Sequence, residues 1–281
     1  MLSVELPEGT IEYEDTGGDL PVLVFLHGLM MQGTLWRHVV DQLRGEYRCI
    51  LPTLPLGGHQ IPMKPDADLS IVGVAKLVGV FLDKLDLADV TLIQNDWGGA
   101  QLLIAAGDTS RIARLVLVSC EAFDNYPPLP ARLVVAAARL PGGLRTVMAM
   151  LNTRLGRRGP GAWGWLSKRP IPTEVIDEWF RPATEQTEIR RDLKKFVTSV
   201  PPKRDLRTIA EASAQFTKPV LIVWATEDKM MPLKHAYRLA EVFPDSRVVE
   251  IADSYTLVPE DQPDKLTAAI GAFLAGRPVA Q

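Results

Sequence analysis

Asp89-Val-Thr-Leu-Ile-Gln-Asn-Asp-Trp-Gly-Gly-Ala-Gln-Leu-Leu-Ile-Ala-Ala106 sets one acidic residue at the junction of two unlike apolar runs. Residues 89–94 are short, apolar and β-branched, which reads as a buried strand, and 100–106 read as the start of a helix. Asp96 therefore falls in the turn between them, with small residues at Gly98 and Gly99. In its G-x-S-x-G form such a turn holds a nucleophile on a strained backbone above a sheet. A carboxylate in that place suits attack on an sp3 carbon and formation of an alkyl-enzyme ester, not serine-type acyl transfer. The plainer alternative is a turn aspartate that caps the following helix.

Working outward, Pro21–Leu26, Tyr47–Leu51, Arg114–Ser119, Pro219–Trp224 and Ser246–Ile251 all read as strands. Helical spacing predicts Ser70–Leu85, with Ser70 as cap, and helices over about 233–242 and 263–274. Alternation of this kind predicts an α/β fold with a mostly parallel sheet covered on both faces, and functional groups beyond the carboxyl ends of the strands.

The chain resembles the α/β-hydrolase fold superfamily, and within it the aspartate-nucleophile branch of haloalkane dehalogenases and epoxide hydrolases. The resemblance runs over residues 9 to about 122 and 217 to 277. It rests on His27-Gly28, Leu54-Pro-Leu-Gly-Gly-His59, Asn95-Asp-Trp-Gly-Gly99, Trp224-Ala-Thr-Glu-Asp228 with Met231-Pro232, and Ile251–Pro263, in that order. It implies Asp96 as nucleophile, the backbone N–H groups of Leu29 and Trp97 as oxyanion hole, and Asp228 or Glu121 as the acid that orients a histidine. The Trp97 indole matches a halide-binding tryptophan, with packing as its plainer role.

The family pattern Asp-Ser-Gly-His reads here Asp253-Ser254-Tyr255-Thr256. A threonine hydroxyl does not titrate in the range a general base needs, so an ester on Asp96 is expected to hydrolyse slowly or not at all. His38 and His235 fall in predicted helices and read as surface residues. His27 reads as a structural member of its turn, although it stays among the candidate substrate-binding residues with His59, Trp97, Tyr126 and Trp163. Glu121 or Asp228, freed from a histidine, could instead act as base, with burial raising its pKa. No metal-ligand spacing is present, and no cofactor is expected.

Other family features are missing. Met30 stands where epoxide hydrolases carry a proline, and Tyr126 is the one tyrosine between residues 123 and 215. Leu29 replaces a halide-binding asparagine, and Gly98-Gly-Ala-Gln101 replaces the arginine pair of fluoroacetate dehalogenases.

A chain of 281 residues, 47% hydrophobic, suffices for one α/β core plus an insertion. We divide it into a core of 1–123 and 215–281 and a helical cap of 124–214, with Pro170-Ile-Pro172 and Pro201-Pro202 as turns. Residues 126–210 hold 16 Lys+Arg against 7 Asp+Glu in a chain of net charge −3. That asymmetry suits steering of an anionic substrate, or simply a solvated helix surface, and no nucleic-acid-reading module accompanies it. Trp163, Trp165, Trp179 and Phe180 suggest an apolar roof or helix packing.

Cys49 and Cys120 read as reduced core residues. Without a leader pattern or a run of about 18 apolar residues, a cytoplasmic protein with no membrane partner is expected. Its oligomeric state is not legible. The leading expectation is a hydrolase-like enzyme for a small or medium apolar molecule. The rivals are a lyase, isomerase or cyclase using Asp96 with Glu121 or Asp228, and a catalytically silent ligand-binding protein.

Overall fold

Runs as apolar as Val22–Leu26 and Val220–Ala225 bury both faces only in a sheet covered on two sides. The computed structural model, which describes residues 1–123, 125, 127–128, 131–159, 162–199, 208–209 and 211–277, contains that sheet. Its eight strands are β1 (Leu2–Leu6), β2 (Gly9–Asp15), β3 (Val22–Leu26), β4 (Arg48–Pro52), β5 (Val90–Asp96), β6 (Ile112–Cys120), β7 (Val220–Ala225) and β8 (Ser246–Ile251), in the order β1-β2-β4-β3-β5-β6-β7-β8. Strands β3 to β8 pair in parallel, while β1 and β2 pair antiparallel with each other and β2 antiparallel with β4. That edge hairpin is an addition to the sequence reading. Its signal is the inward Ile11 and Tyr13 alternating with Glu12 and Glu14.

Helices flank the sheet. Arg37–Leu43 packs on Pro263–Leu274, and Ile71–Lys84 on Ala100–Ala105. Ser70 caps Ile71–Lys84 as expected, its Oγ accepting from Gly73 N–H at 3.0 Å. Both cysteines are free and buried.

Between β6 and β7 the described residues include the helices Ala131–Arg139, Gly143–Leu151, Arg154–Arg158, Trp163–Leu166, Thr173–Glu185 and Thr187–Thr198. Contacts that bind this insertion to loops at the carboxyl ends of strands include four, one after each of four strands. Trp179 Nε1 donates to Thr34 Oγ1 at 2.7 Å after β3, and His59 after β4 meets Asp192 at 3.3 Å. Trp97 after β5 packs on Phe196 with ring centroids 5.7 Å apart, and Leu257 N–H after β8 donates to Leu166 at 2.8 Å. The insertion therefore lies over the end of the sheet where α/β folds carry their sites. The expected turn at Pro201-Pro202 falls outside the described residues. None of the described helices is long and apolar enough to cross a membrane.

Candidate active site

The strand β5 ends in a register shift, Asn95 facing Val118 and Asp96 facing Cys120, so the chain bends where Asp96 sits. Asp96 has φ 53, a left-handed conformation unfavourable for a side-chain-bearing residue, and Gly99 follows at φ 80 before the helix Ala100–Ala105. This is strain at a strand-to-helix turn. Asp96 is not the residue preceding that helix, since Gly99 occupies the cap position, which removes the simple capping alternative. Across the turn, Leu29 N–H donates to Asp96 Oδ2 at 3.0 Å. A Cβ on Gly28 would lie 2.1 Å from that oxygen, so only glycine lets the two segments approach.

Burial dominates the electrostatics. It pushes the Asp96 carboxyl up to about 7, with the Leu29 and Trp97 N–H groups pulling back and the Asp228 charge adding to the rise. Burial likewise raises Glu121 well above the ordinary carboxyl range, and the Asp96 charge adds to it. The asymmetry is physical: Asp96 ionises first, so it repels the later ionisation of Glu121. Glu121 Oε2 is buried and has no hydrogen-bond partner among the described residues. Asp96 and Glu121 are thus two buried carboxyl groups, both raised by burial, with the Asp96 charge adding to the rise at Glu121.

Asp228 is raised to about 6, mainly by burial, against the lowering effect of hydrogen bonds from Met231 N–H, Thr256 and Met230 N–H. Its Oδ1 accepts from the Met230 and Met231 N–H groups, each at 2.8 Å, and from the Thr256 hydroxyl at 2.7 Å. Thr256 is fully buried. The residue at the place of a general base therefore faces the acid that would orient one, and it is a hydroxyl.

The four histidines do not replace it. His27 is fully buried, its Nδ1 pairing with the Gly28 carbonyl at 2.8 Å and its Nε2 accepting from Leu54 N–H at 2.8 Å. Burial lowers it to about 4. Both ring nitrogens serve the backbone, as the structural reading of its turn expects. His59 turns toward the insertion, pairing with Asp192, and its Nδ1 accepts from Gly57 N–H at 3.4 Å. His38 is exposed as expected, whereas His235 is buried and stacks on Phe123 with centroids 5.6 Å apart. The helix periodicity of that segment gave no sign of the aromatic neighbour, which comes from a distant loop. Trp163 packs edge-on against Phe180 at 4.5 Å within the insertion. Tyr126, the remaining substrate-binding candidate, lies outside the described residues. Among those residues no group of three or more His, Cys, Asp or Glu is placed to hold a metal ion.

Several supporting residues escaped the sequence reading. Asn95 Nδ2 lies within hydrogen-bond distance of three carbonyls, those of Val118 (2.9 Å), Ser119 (3.2 Å) and Thr256 (2.8 Å), which ties the Thr256 loop to the centre of the sheet. Gln94 Oε1 accepts from Ala100 N–H, and Gln101 Nε2 donates to the Glu121 carbonyl at 2.8 Å. Their signal was available: polar residues at the end of a wholly buried strand need partners. Asp261 is a second hub, accepting from Ser167 Oγ and from the N–H groups of Lys168, Arg169 and Tyr255, all at 2.8–2.9 Å.

Residues 21–263 match the family described as the alpha/beta hydrolase fold. Curated relatives include a haloalkane dehalogenase of Mycobacterium tuberculosis, 26% identical over 93% of this chain and 90% of that protein. Another is a cis-3-alkyl-4-alkyloxetan-2-one decarboxylase of Xanthomonas campestris, 27% identical over 97% and 95%. Among solved structures, a haloalkane dehalogenase from Bradyrhizobium elkani superposes with TM-score 0.79 at 21% identity, covering 97% of this chain and 96% of that one. Sheet order, bent acidic turn and sequence match agree, and the chain belongs to the alpha/beta hydrolase fold family, with haloalkane dehalogenases among its relatives.

Proposed function

We propose that the protein is an enzyme acting on a small or medium apolar organic molecule, with Asp96 as the reacting carboxylate and no step in which histidine activates water. The observation that carries this reading is the Thr256 hydroxyl bound to Asp228, where a base would have to stand. In this reading residues 124–214 act as a cap over the core of 1–123 and 215–281, shutting out bulk water. Asp96 accepts a proton from substrate, and the protonated Glu121 returns one elsewhere on the molecule, as elimination, isomerisation or cyclisation requires. The Leu29 and Trp97 N–H groups hold negative charge at Asp96.

The relative named as an oxetanone decarboxylase supports a water-free outcome in this fold. Loss of carbon dioxide from an oxetan-2-one leaves an alkene, and that balance includes no water. The dehalogenase relatives favour a second reading, in which Asp96 displaces halide from an alkyl carbon and the ester persists for want of a base.

Intact-protein mass and product analysis, on samples quenched after incubation in 18O-water with alkyl halides, epoxides, oxetanones and esters, separates the two. Product without 18O and without adduct is the expected result. An adduct mapped to Asp96 without product would establish the second reading. Product carrying 18O would overturn both.

A further inference from the structure

The three consecutive helices Ala131–Arg139, Gly143–Leu151 and Arg154–Arg158 pack on one another in sequence. They bury Val135, Ala138, Leu144, Met148 and Leu151. Their outward side is unusual. Leu133 is 78% exposed, Leu140 64%, Met150 54% and Leu155 86%, while Arg132, Arg139, Arg145, Arg154 and Arg158 are exposed among them. Three of the leucines directly follow an exposed arginine, as Arg132-Leu133, Arg139-Leu140 and Arg154-Leu155. Residues 131–159 contain no Asp or Glu, and the one other arginine, Arg157, is buried and paired with Asp177. Among the described residues none of the five exposed arginines has an ion-pair partner.

From this arrangement we infer that the outward side of residues 131–159 is a docking surface for an anionic lipid bilayer. Large apolar side chains as exposed as these fit a fluid phase that closes around each of them. Arginines beside them reach the phosphate layer while their stems lie along the apolar boundary. Charge complementarity selects anionic headgroups. It also disfavours a second copy meeting this face symmetrically, because arginine would then confront arginine. The contact is peripheral and places the insertion against the phase in which an apolar molecule dissolves. It revises the expectation of a protein without a membrane partner, and it stands on the surface alone, independently of the chemistry assigned to Asp96.

The test is co-sedimentation of the full chain with vesicles of phosphatidylcholine alone or mixed with phosphatidylglycerol. Two variants accompany it, R132Q/R139Q/R154Q and L133S/L140S/L155S, whose changes lie outside the packed side of the helices. Their melting temperatures and elution volumes should equal those of the parent. We expect binding to the mixed vesicles only, weakened by salt, and lowered by more than about tenfold in either variant. No binding to mixed vesicles would overturn the inference, as would equal binding by the variants. Concentration-dependent dimerisation abolished in the leucine variant, without vesicle binding, would assign the face to a second copy instead.

Discussion

Thr256 donates its hydroxyl hydrogen to Asp228 Oδ1 at 2.7 Å, so the buried acid is matched with a group that does not titrate as a base near neutral pH. Thr256→His therefore divides the two chemical readings. If Asp96 works by proton transfer, the variant still yields no 18O-labelled alcohol from a bromoalkane. A gain in labelled alcohol of about tenfold or more would install the ester reading, since a positioned base is worth about 10²–10⁴ in rate. The larger ring in a fully buried place should cost about 1–3 kcal/mol, read by denaturant titration.

Asp96→Asn should abolish turnover and stabilise the fold. Between about pH 4 and 7 the folded chain keeps protons on Asp96 and Asp228 that the unfolded chain has released, so stability falls as pH rises. The Asp96 contribution is intact below its ordinary 3.8 and lost by its folded value of about 7, a difference of about 4 kcal/mol. Melting temperature should thus decline from pH 5 to 8 in the parent, and less steeply in the variant. An identical decline in both would place the titration elsewhere.

Turnover has its own pH signature. The rate should rise through about pH 7 as Asp96 ionises and fall only where Glu121 gives up its proton, well above the carboxyl range. Glu121→Gln should remove the alkaline fall and reduce turnover about 10²-fold. A retained alkaline limb would show that another acid is responsible.

The insertion is fastened through Asp192, which is fully buried. Burial opposes its charge, but the bonds from His59, Met63 N–H and Arg191 outweigh that effect, and its pKa is lowered. Its stabilising effect is present above its ordinary 3.8 and lost as pH falls through the lower folded value. Removing His59 should cost about 1–3 kcal/mol, because a buried acceptor of Asp192 loses one partner. His59→Ala should therefore speed hydrogen exchange in Thr187–Thr198 while β5 and β6 stay protected.

Gly28→Ala tests the close approach at the turn. The added Cβ would meet Asp96 Oδ2 at 2.1 Å, so the turn must open and the Leu29 N–H must lose its acceptor. Turnover should fall at least about 10²-fold, as it does when one oxyanion donor is removed. Unchanged kinetics would mean that the Leu29 contact contributes nothing.

The core of this fold was legible because its strands are apolar runs long enough to declare themselves. Ser246–Ile251 and the helix Pro263–Leu274 fall at their expected bounds, and β5 runs two residues beyond its expected end, carrying Asp96 itself. The positions of Asp96, Asp228 and Thr256 could be read from their place in the motif order, Thr256 by its departure from the histidine of the family pattern. The partners of His59, His235 and Asp261 were not. The contacts of His59 with Asp192, His235 with Phe123 and Asp261 with Ser167 join segments distant in sequence, and a single histidine or aspartate reads the same whether its neighbour is solvent or another segment. Gln94 and Asn95 were legible in principle, as polar residues in a run that buries every side chain.

Asn95 has one further consequence. A side-chain amide carries two hydrogens, and its Nδ2 stands against three carbonyls. The carboxyl end of β6 and the Thr256 loop therefore draw on one donor, and loss of the amide would leave carbonyls of both without it. One amide thereby moors two neighbouring segments, and a change at residue 95 would be felt at both.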